Sequence, residues 1–117
     1  MTLYRRFEEA MSAWVTYCEQ PEVLCSSDPR KITDCQPYRD LRRLGRPALP
    51  LIRELCDRQE NGQGNAWRKI KGVGLAALVQ DITRSHFRIP DNLQGDDLER
   101  HTTRWLDVHL EEYVSGR

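Results

Sequence analysis

The sequence predicts an all-helical protein, and three observations carry that expectation. Apolar side chains recur at steps of three and four through most of the chain. No segment sustains the two-residue alternation of a half-buried strand, and the Asn61-Gly62 pair is not flanked by β-branched runs. Leu44-Gly45-Arg46-Pro47, with Pro50 close behind, reads as the punctuation of a tight joint between two helices. Together these specify about five helices in an antiparallel bundle. At 117 residues the chain is the size of one domain, 1–117, able to bury a core without disulfides or metal.

Each element arises from local chemistry. Thr2 supplies a cap for a first helix whose apolar positions are Leu3, Phe7, Met11, Trp14, Val15 and Cys18. Pro21 ends or restarts it, because proline lacks an amide donor and disfavours helical backbone in the residue before it. PEVLC is then a last helical piece, and SSDPRKITDCQP, residues 26–37, has the composition of a connecting loop. Asp34 or Cys35 opens the second helix, with Pro37 in its first turn and Tyr38, Leu41 and Leu44 on one face. Gly45 closes it, since glycine accepts the left-handed backbone at a helix C-terminus. Pro47 and Pro50 fit the first turn of the next helix, where missing donors do little harm, and Leu49, Ile52, Leu55 and Cys56 form its inner face. On this reading the joint sets two antiparallel helices leucine face to leucine face.

DRQENGQGN, residues 57–65, is a polar loop with Asn65 as a cap for the next helix. Trp67, Ile70, Leu75, Leu78, Val79 and Ile82 then keep helical spacing, interrupted by Gly72 and Gly74, each costing about 1 kcal/mol against alanine in a helix. Either the glycines admit a close neighbour, or the helix proper begins near Gly74. Residues 84–97 make a long connection containing Pro90 and Gly95. Asp96 or Asp97 caps a last helix with Leu98, Thr102, Trp105, Leu106, His109, Leu110 and Tyr113 inward. Trp14, Trp67 and Trp105 fall on the inner faces of three helices, which points to one shared core.

Composition narrows the function. The formal net charge is zero, which removes any whole-protein attraction to nucleic acid or an anionic membrane. Charge is unevenly spread: residues 1–27 hold two basic and four acidic side chains, 28–71 eleven and six, and 72–117 five and eight. No apolar run approaches the roughly 18 residues a membrane span needs, and the amphipathic start, with its acids, is unlike a secretory signal, so a cytoplasmic protein is expected. Cys18, Cys25, Cys35 and Cys56 lack the short paired spacings of a zinc site and read as idle thiols.

No motif commits the chain to catalysis. His101 and His109 are two turns apart on the last helix, His86 lies in a loop, and nothing like His-Glu-x-x-His or Cys-x-x-Cys occurs. Asp97 or Asp107 beside a histidine, or Cys56 with His86, would be the raw material of a small metal-dependent or Cys/His enzyme, the least favoured reading. GQGNAWRKIKGVG follows no strand and lacks the Gly-Lys-Ser/Thr ending of a phosphate loop. The adjacent pairs Glu8-Glu9, Asp96-Asp97 and Glu111-Glu112 diverge on a helix surface. No catalytic residue, metal ligand or cofactor is therefore assigned.

The strongest surface signal is basic. Arg39, Arg42, Arg43 and Arg46 lie opposite the leucine face, with Arg53 across the joint and Lys69 and Lys71 as extensions. Such a stripe meets a protein partner or a second copy of the chain; the alternative is nucleic-acid phosphate, although PALPLI at the start of the second helix of the joint is too apolar to read bases.

PYRDLRRLGRPALPLIREL, followed by Trp67, AALVQDIT, Ile89-Pro90, Gly95 and RWLDV, resembles a group of small bacterial proteins of unassigned activity. The joint is also similar to HEAT-type helical repeats. The likeness covers roughly residues 22–107 and departs at NGQGNAWRKIKGVG, where this chain carries additional residues. It implies an all-helical fold and no functional residues. No second copy of the joint occurs, so a solenoid is not implied.

Overall fold

The first helix, α1 (Leu3–Cys18), begins where the Thr2 hydroxyl accepts the Arg5 amide at 3.2 Å. The structure is a computed structural model, and it describes residues 2–26, 28, 30–57 and 64–114. Phe7, Met11, Trp14 and Cys18 are buried along one stripe of α1, as their spacing requires, while Leu3 is 37% exposed because the stripe outruns the core at the first turn. Pro21 restarts the chain as a single turn, α2 (Pro21–Leu24).

The expected loop 26–37 contains one further helical turn, α3 (Arg30–Thr33). Its start is signalled by Asp28, whose carboxylate accepts the Arg30 amide at 3.0 Å, and Ile32 anchors it in the core. Helix α4 (Gln36–Leu44) comes next with Cys35 at its N-cap, Pro37 in its first turn, and Tyr38 and Leu41 buried.

Gly45 has φ 72° and ψ −155°, a combination that is essentially glycine's alone and differs from the left-handed helical cap the sequence suggests. A 3₁₀ turn, Arg46–Ala48, then leads into α5 (Leu49–Asp57). This changes what the joint does. Instead of facing each other, the two helices diverge: α4 packs chiefly on α1, and α5 chiefly on α8 (Gly95–Val114). The turn itself is buried at Ala48 and touches all four of these helices.

Both pairs close on one continuous helical rod, α6 (Gly64–Lys69), a π turn (Ile70–Gly74) and α7 (Leu75–Ile82). Residues 58–63 lie outside the described residues, and the rod starts at Gly64, so Asn65 sits inside the first turn rather than at its cap. Of the two alternatives raised by the glycine pair, the first holds: each glycine admits a neighbour, and the helix begins well before Gly74, at Gly64. A Cβ at Gly74 would lie 2.8 Å from two ring carbons of Trp14, and one at Gly72 would lie 3.3 Å from the Gly95 Cα. The weakened helix takes up a π turn there, with the Leu75 amide reaching back to the Ile70 carbonyl.

Trp14 is fully buried, with its indole N–H donating to the Ile32 carbonyl at 2.8 Å and its ring edge-on to Tyr38 at 5.5 Å. Burying that much ring is worth on the order of 4–6 kcal/mol. Tyr38 in turn donates its hydroxyl to the Asp81 carboxylate on α7. Buried hydroxyls are satisfied locally: Thr83 donates to Val79 and accepts from the Phe87 amide, and Thr102 donates to Leu98. Helix α7 is capped at Thr83, and the chain turns off it through Arg84 and Ser85, both with positive φ, where the Ser85 amide closes on the Gln80 carbonyl at 2.9 Å. The three tryptophans belong to one core, Trp14 and Trp67 inside it and Trp105 half-buried against it. Helix α8 starts at Gly95, with Asp96 and Asp97 in its first turn rather than as its cap. The described residues contain no strand.

Two substitutions test this packing. Gly74→Ala should cost about 1–3 kcal/mol, because the methyl group must displace Trp14. Ser85→Gly should instead stabilise by up to about 1 kcal/mol by relieving the left-handed backbone. Urea midpoints at constant denaturant dependence read both.

Candidate functional site

The basic side chains singled out in the sequence are distributed by the fold over separate contacts. Arg53, its side chain only 22% exposed, holds Asp107 of α8 at 2.6 Å and Asp57 at 2.9 Å, and these two carboxylates raise its pKa further. Lys71 lies 3.1 Å from Glu99 and donates to the Cys56 carbonyl at 3.3 Å. Lys69 donates to the Ser26 carbonyl at 2.7 Å and the Val23 carbonyl at 3.2 Å. These three are fasteners between elements. Arg46 lies over the Tyr113 ring, 5.4 Å from its centroid. Arg39 is half-buried beside Asp34 at 3.5 Å, and Arg42 stands 3.9 Å from Asp81. Arg43 is exposed and makes no ion pair among the described residues.

Arg43 instead borders a groove between α1 and α4 of about 410 Å³, with Leu44, Ala10 and Ala13 as its apolar part and Arg6, Glu9 and Asp40 completing its rim. Glu9 is paired with Arg5 at 3.3 Å, and Asp40 accepts from the Gln36 amide group at 2.8 Å. The core stripe of α1, taken alone, does not point to the α1 residues of this groove. Their signal is a second stripe at steps of three and four, Leu3, Arg6, Ala10 and Ala13.

A larger cleft of about 670 Å³ lies beside the rod. Lys69, Val73 and Ala77 form its floor, Ile32 and Asp28 stand on the α3 side, and Ile89, Leu93 and Leu98 on the other. The Gln80 side chain fixes the far wall by accepting the Ile89 amide at 2.9 Å. Arg30 grips Asp28 with two hydrogen bonds of 3.1 Å, which holds the Asp28 carboxyl below its usual range.

The histidines line neither cavity. His86 is 2.8 Å from the Tyr113 hydroxyl, His101 packs on Phe87, and His109 stacks on Trp105 with ring centroids 4.5 Å apart. The carboxylates weighed as their partners are engaged elsewhere, Asp97 with Arg100 and Asp107 with Arg53. No group of three histidine, cysteine, aspartate or glutamate side chains converges among the described residues. Cys56 neighbours Thr103 rather than His86. All four cysteines are free thiols; burial pushes Cys18 up to about 12, and Cys35 and Cys56 also upward.

No helix of the described residues is long and apolar enough to cross a membrane. Comparison of the chain with family models, curated proteins and solved structures returns no match.

The buried thiol of Cys18 makes stability depend on pH. Its proton is held more tightly in the folded chain than in the unfolded one, so folding stability is fully present below about pH 9 and falls as pH rises toward about 12. Tyr38, raised by burial and then by its bond to Asp81, adds to the same alkaline loss. Urea midpoints measured from pH 7 to 11 should be flat and then decline, and Cys18→Ala should shrink the decline.

Proposed function

We propose that the protein is a non-catalytic interaction module that self-associates through the α1–α4 face. One observation carries this reading: the groove rim holds two charges of each sign, Arg6 and Arg43 against Glu9 and Asp40, around the apolar side chains of Ala10, Ala13 and Leu44. A two-fold contact places a patch on its own copy, so it needs a surface complementary to itself, and a rim of mixed sign meets that need. The small side chains of Ala10 and Ala13 permit close helix approach, and Leu3, exposed at the start of the same stripe, extends the apolar area. The carboxylates at the rim weigh against phosphate as the partner, which an unbroken basic stripe would have favoured. Free thiols at all four cysteines support a reducing, cytosolic setting for such a module.

Sedimentation velocity over a hundredfold concentration range tests the reading. The native chain should form a dimer that Arg6→Glu with Arg43→Glu weakens at least tenfold. Exchanging the charges in one chain, Arg43→Asp with Asp40→Arg, should restore it. A native chain that stays monomeric throughout, or a dimer indifferent to these changes, would overturn the proposal, and retention on duplex DNA with a steep salt dependence would move the assignment to nucleic acid.

A further inference from the structure

The larger cleft contains a charge for which the described residues supply no counter-ion. Of the two cations that line it, Arg30 is gripped by Asp28, but Lys69 meets only the neutral carbonyls of Val23 and Ser26. An ammonium group has three protons to donate, so one is left without an acceptor among the described residues. Lys69 is half-buried, where an ion is screened less than at the surface and gains more from an opposite charge. Around it the walls are mainly apolar: Ile32, Val73, Ala77, Ile89, Leu93 and Leu98. The remaining carboxylate, Asp91, is exposed and forms no ion pair with Lys69.

We infer that this cleft binds an aliphatic monocarboxylate, with the acid group paired to Lys69 and the hydrocarbon chain lying along Val73, Ala77, Leu93 and Leu98. About 670 Å³ falls within the roughly 300–1,000 Å³ of small-ligand sites, and a mainly apolar surface with a few polar groups, here Lys69 and the Arg30–Asp28 pair among them, is the usual composition of such a site. A carboxylate fits the anchor better than an alcohol or an amine. It alone neutralises the ammonium, and a charge-assisted bond is about twice as strong as a neutral one. The π turn is part of the construction, since Lys69, Val73 and Ala77 share the cleft floor from either side of it and within it. None of these residues lines the α1–α4 groove, so this site and the self-association face stand or fall separately.

Isothermal titration of the full chain with octanoate, octan-1-ol and octylamine tests the inference. Octanoate should bind at one site per chain, at least tenfold more tightly than octanol, with octylamine weakest. Lys69→Met should erase the difference between octanoate and octanol while leaving octanol binding in place, an outcome that loss of a structural fastener alone would not produce. Ala77→Phe, which fills the cleft without touching Lys69, should abolish binding of all three and covers the case in which Lys69→Met fails to fold. Absence of octanoate binding at millimolar concentration, a preference for the amine, or unchanged octanoate binding by Ala77→Phe would overturn it.

Discussion

The fold depends on one steric exchange: Trp14 occupies the volume that a side chain at position 74 would need. An indole is the largest apolar group available, and lodging it against bare backbone gives α1 a contact with the central rod that no pair of ordinary side chains would match at that distance. The exchange has a cost, because glycine weakens the helix that supplies it. The π turn is where that cost is absorbed, and the Gly72–Gly95 approach uses the same weakened stretch to bring the start of α8 against the rod. The remaining elements hang on these two crossings, with α4 tied to α1 through Tyr38 and α5 tied to α8 through Arg53.

Charge in this protein does two kinds of work, which burial separates. Arg53 and Lys71 are largely enclosed and act between elements, with partners on α8, so each constrains where one element lies on another. Exposed pairs such as Arg5–Glu9 and Arg100–Asp97 are worth no more than a few tenths of a kcal/mol each. A cation's position on a helical wheel does not reveal which kind it is. The decisive fact is whether a distant carboxylate or carbonyl comes within reach on folding, as Asp107 does for Arg53 across 54 positions of sequence.

The helical class, the capping by Thr2, the break at Pro21 and the core stripes of α1, α4, α5 and α7 are legible in the sequence because each rests on local rules of spacing and backbone chemistry. Three features are not. Helix α3 is four residues long, too short to show a period, and only its Asp28 cap and a single buried isoleucine mark it. The divergence of α4 from α5 depends on the ψ of Gly45 and the inserted 3₁₀ turn, and a Gly-x-Pro joint is compatible with both outcomes. The turn that follows α7 takes its positive φ at Arg84 and Ser85, with no glycine to announce it. Of the site residues, the arginines of α4 can be named from sequence, whereas the cavities cannot, because each is assembled from segments far apart in the chain.

The π turn also has a meaning for how such a chain changes over time. An α-helix advances about 100° per residue, and a π turn is a helix holding one residue more than that advance accommodates. Deleting a single residue within Ile70–Gly74 would let the rod relax to a uniform helix while leaving α6 and α7 nearly in phase, because the residue lost is the one the wider turn absorbs. Trp67 would then stay in the core and Lys69 beside the carbonyls of Val23 and Ser26, whereas a residue lost from a regular α-helical stretch turns everything beyond it by nearly a third of a revolution. The rod thus has a fixed phase between its two halves. This point is therefore where the rod can lose a residue with the least change to the molecule's surface.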